Sequence, residues 1–203
     1  MNITIFKNDL PDNFSINGDI AIDTETMGLN LIRDRLCVLQ FSNGSSEVYL
    51  VQFDGKDYLA PNLKKLLLDQ NRCKIFHFAR FDLAAIKKYL NIDLKNIFCT
   101  KIASKLVRTY TEYHGLKDLC RELLGVQISK QQRSSFWGVE TLSAEQQEYA
   151  AKDVFYLHQL RSILKERLML GNRSKLANEL FEFLPIRANL DLDGWQDIDI
   201  FAY

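Results

Sequence analysis

The chain reads as one α/β domain: a mixed sheet in which an antiparallel meander is extended by parallel strands and flanked by helices. Three observations lead there. The first half holds short runs rich in β-branched and aromatic residues. From Pro61 onward, strand-sized and helix-sized patterns alternate, as they do where parallel strands are joined through helices. No repeat, low-complexity block or linker divides the 203 residues, about the length of one ordinary domain.

Taken in order, residues 19–23 (Asp19-Ile20-Ala21-Ile22-Asp23), 36–41 and 47–53 are the first strands. Asn43-Gly44-Ser45-Ser46 is a turn signal, so the second and third should pair antiparallel. Residues 61–69 read as a short helix with proline in its first turn. Residues 74–78 read as a buried strand, and 81–90 as a helix with Ala85, Ile86, Tyr89 and Leu90 on one side. Helices dominate from Thr100. Ser143-Ala144-Glu145-Gln146 fits a capping box, in which serine hydroxyl and glutamine amide satisfy each other's backbone N–H groups. The helix it opens should run to Gly171, which can take the left-handed conformation that ends it. Val154, Leu157, Leu160, Leu164 and Leu168 form its core-facing stripe. Residues from about 184 to 203 are expected to be a tail docking on the core or on a neighbouring subunit. Its aspartates, Asp191, Asp193, Asp197 and Asp199, alternate with Leu190, Leu192, Trp195, Ile198 and Phe201, the mixture of a docking segment and not of a second metal site.

Composition removes several function classes. Hydrophobic residues make up 47% and charged residues 26%, a balance that builds a packed core and excludes disorder as the main state. With 26 basic and 26 acidic residues the net charge is zero, which argues against a broad basic surface gripping duplex without preference. No apolar run approaches the ~20 residues of a bilayer span. The first seven residues lack a charged and then apolar leader pattern, so a cytoplasmic location is expected. Cys37, Cys73, Cys99 and Cys120 are far apart, as are His77, His114 and His158. Reduced, buried thiols are therefore expected in place of a zinc site.

Three short motifs carry chemistry. Asp23-Thr24-Glu25, at the end of a strand, puts two carboxylates on one face of the sheet. Their repulsion is relieved if a divalent cation lies between them, and hard oxygen ligands suit Mg²⁺ or Mn²⁺; alternatively, the strand simply ends in polar residues before a Gly28 turn. Tyr149 and Asp153, four apart on a helix, are neighbours and could share one water or metal site, though an interfacial tyrosine beside a surface aspartate fits equally. Asp82 opens a helix just after the 74–78 strand, a position that the helix dipole favours in any case.

Together the three motifs resemble the DEDD exonuclease superfamily in its tyrosine-containing branch. The surrounding words, Ala21-Ile22-Asp23-Thr24-Glu25-Thr26, Phe76-His77-Phe78-Ala79-Arg80-Phe81-Asp82 and Tyr149-Ala150-Ala151-Lys152-Asp153-Val154, resemble ribonuclease D. The chain stops where ribonuclease D would continue into helical domains. Residues 98–106 and 184–192 extend the likeness to the single-domain nanoRNase C family of short 3′-to-5′ exoribonucleases, over nearly all of the sequence.

The resemblance implies a ribonuclease H-like fold and hydrolysis of phosphodiesters with two Mg²⁺ or Mn²⁺ ions, which in such sites flank the attacking and leaving oxygens. Asp23, Glu25 and Asp153 would hold the first ion. Asp23 would bridge to the second, with Asp82 acting directly or through water, and Tyr149 would align the attacking water. The implied partner is short single-stranded RNA, dinucleotides included, cut to nucleoside 5′-monophosphates. The resemblance also implies a homo-oligomer, such as the octameric ring of that family, which would narrow access to the sites. Leu29 stands where relatives place an apolar wedge between the terminal bases, or is an ordinary turn leucine. Lys130, Gln132, Arg133 and Trp137 form a loop suited to phosphate and base contacts. The residue before the tryptophan, often acidic or an amide in ribonuclease D, is Phe136 here. His77 and Arg80 are candidates for a phosphate contact, or are a core imidazole and a solvated arginine. The rival readings are a broader exonuclease acting on structured RNA or DNA, and a non-catalytic nucleic-acid-binding scaffold.

Overall fold

The computed structural model describes residues 1–128 and 135–203. Six strands form one sheet: β1 (Asn2–Lys7), β2 (Ile20–Thr26), β3 (Leu36–Ser42), β4 (Glu47–Gln52), β5 (Lys74–Phe76) and β6 (Ile97–Cys99), in the spatial order β1-β4-β3-β2-β5-β6. β2, β3 and β4 are the antiparallel meander. β1 joins β4, and β5 and β6 extend β2, all in parallel. The sequence reading of a mixed sheet holds. It lacked β1 and β6, the two edges.

β3 is buried along its whole length and is the centre of the core. The turn between β3 and β4 needs Gly44. Its φ is +84°, and a Cβ there would stand 2.9 Å from the ring of His158, whose Nε2 donates to the Ser42 carbonyl at 3.0 Å. The same close approach locks the meander onto a helix from the far end of the chain.

The helices are α1 (Pro61–Leu68), α2 (Ala79–Leu90), α3 (Thr100–Val107), α4 (Leu116–Leu119), α5 (Ala144–Phe155), α6 (Leu157–Leu170) and α7 (Ser174–Leu190), with π-helical turns at Cys120–Leu124 and Asp191–Trp195. The capping box at the start of α5 is present in full: Gln146 N–H donates to Ser143 Oγ at 3.2 Å, and Ser143 N–H to Gln146 Oε1 at 3.0 Å.

The single helix expected from Ser143 to Gly171 is instead two, broken at Tyr156. The backbone of Tyr156 stays close to helical, so the apolar stripe keeps its phase, and all five stripe residues are buried. The bend has a packing cause: α5 lies on β2, β3 and β4, whereas α6 packs on α3 and β5. Nor does Gly171 end α6 in a left-handed conformation; its φ is −84°, and Asn172 takes the positive φ of 53°. The expected tail from about 184 begins inside α7, which runs through Pro185 to Leu190.

Beyond α7 the chain folds back. Asp191 takes two hydrogen bonds from Arg80, at 2.5 and 2.6 Å, and an ion pair from Arg187 at 2.9 Å. Phe201 packs near Phe183, ring centres 6.0 Å apart. All four cysteines are buried and free. Among the described residues no helix is long and apolar enough to cross a membrane.

Candidate active site

The site is built where β5 stops short. β2 pairs with β5 only at Ile20 and Ala21, so from Ile22 onward that side of β2 has no strand partner. The first turn of α2 fills the gap. Asp82, 3% exposed, uses one oxygen, Oδ1, to accept from the Thr24 amide at 3.0 Å and the Thr24 hydroxyl at 2.6 Å. The amide bond takes the place of a ladder bond that a longer β5 would have supplied, and the two together tie the second motif to the middle of the first. Thr24 points to one face, and by strand alternation Asp23 and Glu25 point to the other, where α5 lies.

There Asp23, Glu25 and Asp153 each offer a carboxylate oxygen, and the three oxygens lie within 4.8 Å of one another. Asp82 is outside this trio. Like charges and burial act together. The carboxyls of Asp23 and Glu25 are held well above the usual range, chiefly by burial and then by neighbouring carboxylates. Burial raises Asp82 to about 7 against the lowering effect of its two Thr24 bonds. Such a group is unfavourable without a counter-charge. Its donors are hard oxygens with no imidazole or thiol among them, and the nearby Cys120 thiol is pushed up to about 12, far from thiolate. That donor set fits a divalent cation such as Mg²⁺ or Mn²⁺.

Tyr149, one turn before Asp153 on α5, lines a cleft of about 270 Å³ together with Asp23, Asp153, His77, Phe78, Lys101 and Lys117. A larger cavity of about 640 Å³, between α7 and β6, contains none of the motif carboxylates.

Sequence reasoning missed several of these groups. Gln40 is fully buried in β3 opposite Asp23, and its Nε2 donates to Asp23 Oδ2 at 2.6 Å. The available signal was an amide inside an otherwise apolar strand, since a buried polar side chain needs a partner. Phe78, with φ +71° at the start of α2, places its ring under the Lys101 ammonium at 4.0 Å from the ring centre. Neither Lys101 nor Lys117 belongs to a motif, and only folding brings them to the cleft.

Leu29 is 77% exposed in the turn after β2, so it is not a core leucine. Trp137 requires a correction. It is 2% exposed, with its ring centre 6.1 Å from that of Tyr149, so it packs against the phenol from the core and is not an exposed platform for a base. Arg80 is drawn to Asp191 and the Gln196 carbonyl in the tail, not to the cleft. His77 lines the cleft half-buried and bonds Thr100 at 2.9 Å. Lys130, Gln132 and Arg133 lie outside the described residues.

A 3′-5′ exonuclease family model matches residues 6–169. The chain belongs to the 3′-5′ exonuclease family. Ribonuclease D of Gluconacetobacter diazotrophicus is 34% identical over 73% of this chain and 37% of that protein. DNA polymerase I of Aquifex aeolicus is 32% identical over 73% of this chain and 24% of its own length, so the chain spans well under half of either relative. Among solved structures, Brucella melitensis NrnC bound to pGG superposes with a TM-score of 0.95 at 53% identity, covering 100% of this chain and 99% of that one. The same protein with bound Mg²⁺ gives 0.94 at 51% identity, covering 100% of each chain. Escherichia coli RNase D, at 23% identity and a TM-score of 0.75 over 89% of this chain and 48% of that one, shares the fold. The expected ribonuclease H-like architecture and the likeness to ribonuclease D and to a short nuclease of the NrnC type are thus met. The family is one of hydrolases that release nucleotides from 3′ ends.

Proposed function

We propose that this exonuclease is a metal-dependent 3′-5′ exoribonuclease of short oligoribonucleotides, dinucleotides included, yielding nucleoside 5′-monophosphates. The observation that carries the reading is the convergence of Asp23, Glu25 and Asp153 within 4.8 Å, beside Tyr149 in a cleft of about 270 Å³. The full-length likeness to a protein solved with pGG supports the same substrate class.

Asp23, Glu25 and Asp153 would hold one divalent ion, with Asp23 shared towards a second and Asp82 beside it. Bound there, divalent cations supply charge stabilisation at the attacking and leaving oxygens. Gln40 orients the Asp23 carboxylate. Tyr149 hydrogen-bonds the attacking water and aligns it with the terminal phosphorus, while Trp137 packs behind the phenol. The water gives up a proton to solvent as its oxygen bonds to phosphorus and the bond to the preceding nucleotide's O3′ breaks, and the O3′ leaves with a proton taken from solvent. Leu29, standing proud of the turn, separates the two terminal bases. The tail's exposed Trp195, Ile198 and Phe201 offer the surface on which copies of the chain would assemble.

Product analysis on a diribonucleotide, a 20-mer RNA and a 20-mer DNA with Mg²⁺ tests this reading. Preferential turnover of the dinucleotide to 5′-monophosphates is expected. Equal turnover of all three would replace it with a general exonuclease, and an unchanged rate in Asp23→Ala would remove the site.

A further inference from the structure

Among the groups lining the cleft that the hydrolysis leaves without a task is the imidazole of His77. Its proton is placed by its neighbours. Thr100 Oγ1 lies 3.0 Å from the Phe76 carbonyl oxygen. A carbonyl has no proton to give, so the single hydroxyl proton of Thr100 is committed to that bond. His77 Nδ1 lies 2.9 Å from the same Oγ1. The hydroxyl can only accept there, so Nδ1 carries the ring's N–H. Burial first, and then the Lys101 ammonium, oppose a second proton and hold the ring's pKa at about 3. The ring is therefore neutral, with a lone pair on Nε2, and no described residue hydrogen-bonds to that nitrogen.

That lone pair decides what the ring can recognise. Phosphate oxygens bring only negative charge and lone pairs of their own, so a group bonding Nε2 must be a donor. RNA has two kinds, base N–H groups and ribose hydroxyls. Leu29 and Met27, exposed apolar side chains on which bases would rest, do not line this cleft. Phe78 does, but the Lys101 ammonium sits over its ring. In a 3′-5′ cut the scissile phosphate lies at the carboxylates, and the leaving O3′ belongs to the preceding nucleotide. The 2′-hydroxyl of that same ribose is the donor held nearest the reacting phosphorus.

We infer that His77 is the residue that selects ribose in this site, its Nε2 accepting a hydrogen bond from the 2′-hydroxyl of the nucleotide that bears the leaving oxygen. The inference rests on the exoribonuclease reading and sharpens it from short oligonucleotide to a particular hydroxyl. The closing experiment uses the full chain with Mg²⁺ and three 5′-phosphorylated dinucleotides: all-ribose, 2′-deoxy in the 5′ nucleotide only, and 2′-deoxy in the 3′ nucleotide only. Wild type should lose about tenfold in kcat/KM on the second, the size of one good hydrogen bond, and much less on the third. In His77→Ala the ratio of the first to the second should fall to within about twofold, whatever the absolute rates, and His77→Gln, with an amide acceptor, should restore part of it. A ratio near one in wild type, or one that persists in His77→Ala, overturns the assignment. A long-range ¹H–¹⁵N spectrum of histidine-labelled wild type needs no turnover and should show Nδ1 protonated; a ring protonated at Nε2 overturns it too. Wild type that cleaves none of the three would instead bring down the exoribonuclease reading, and the inference with it.

Discussion

Replacing Gln40 by leucine separates what holds the fold from what prepares the metal site. The Gln40 amide donates to Asp23 Oδ2 at 2.6 Å from a fully buried position. A hydrogen bond to a charged acceptor contributes about 1.5–3 kcal/mol. At about 1.4 kcal/mol per decade this is a loss of roughly ten- to hundredfold in divalent-ion affinity, the range found when partners of ligating carboxylates are removed. The same change deletes Gln40 Oε1, a buried acceptor with no partner, and relieves a penalty of about 1–3 kcal/mol. The two effects on folding oppose each other at similar size, and leucine nearly preserves the volume. The metal-free protein should then melt within about 5 °C of wild type. Calorimetric titration with Mn²⁺ and thermal melts in chelator read the two quantities independently. Undiminished metal affinity would refute the orienting role, and a collapse of the chelated melt by more than about 10 °C would show that the amide serves the core instead.

Metal-dependent stabilisation should grow from pH 5 to pH 7.5. The raised carboxyls of Asp23, Glu25 and Asp82, the last at about 7, favour the folded state below the unfolded carboxyl range and lose that contribution as pH rises through the folded values. A cation must displace those protons, so its affinity should rise by up to about tenfold per pH unit and proton, while the lowered histidines act equally with and without metal; a constant difference between melts in Mg²⁺ and in chelator would contradict this. Tyr149→Phe should lower kcat by about 10²-fold or more with metal affinity intact, and a loss of affinity matching Asp153→Asn would rule out the water-aligning role. Leu29→Ala should weaken binding of a non-hydrolysable dinucleotide by about 1 kcal/mol without moving the melting temperature, and unchanged binding would dispose of the wedge. Arg80→Ala leaves Asp191 with Arg187 alone and should cost about 1–3 kcal/mol; an unchanged melt would mean that the tail contact contributes nothing.

What could be read from the sequence divides along a physical line. The meander was legible because β2, β3 and β4 each carry a short run of β-branched or aromatic residues with a glycine turn between the last two, and the Ser143 cap was legible because its chemistry is local. Edge strands were not. β1 is only half-buried, and β6 has three residues, too few for a period to emerge. The break at Tyr156 left no trace in the pattern, because a bend that preserves helical phase preserves the spacing of leucines. At the site, the carboxylates stood out as residues that are costly to bring together without a reason. Trp137 misled because a tryptophan beside polar loop residues looks like a base platform, and only packing shows that it faces Tyr149 from within. Arg80 misled because its partner Asp191 lies 111 positions away along the chain.

That last contact reaches further than its own energy. Arg80 and Asp82 occupy the same opening turn of α2, so the clasp on Asp191 also sets how firmly that turn is seated. A proteolytic nick or an insertion after residue 190 would loosen the scaffold under the Asp82 carboxyl while leaving the hydrophobic core whole. Engineering that treats those final residues as a neutral handle for fusion or immobilisation would therefore be altering the chemistry from behind.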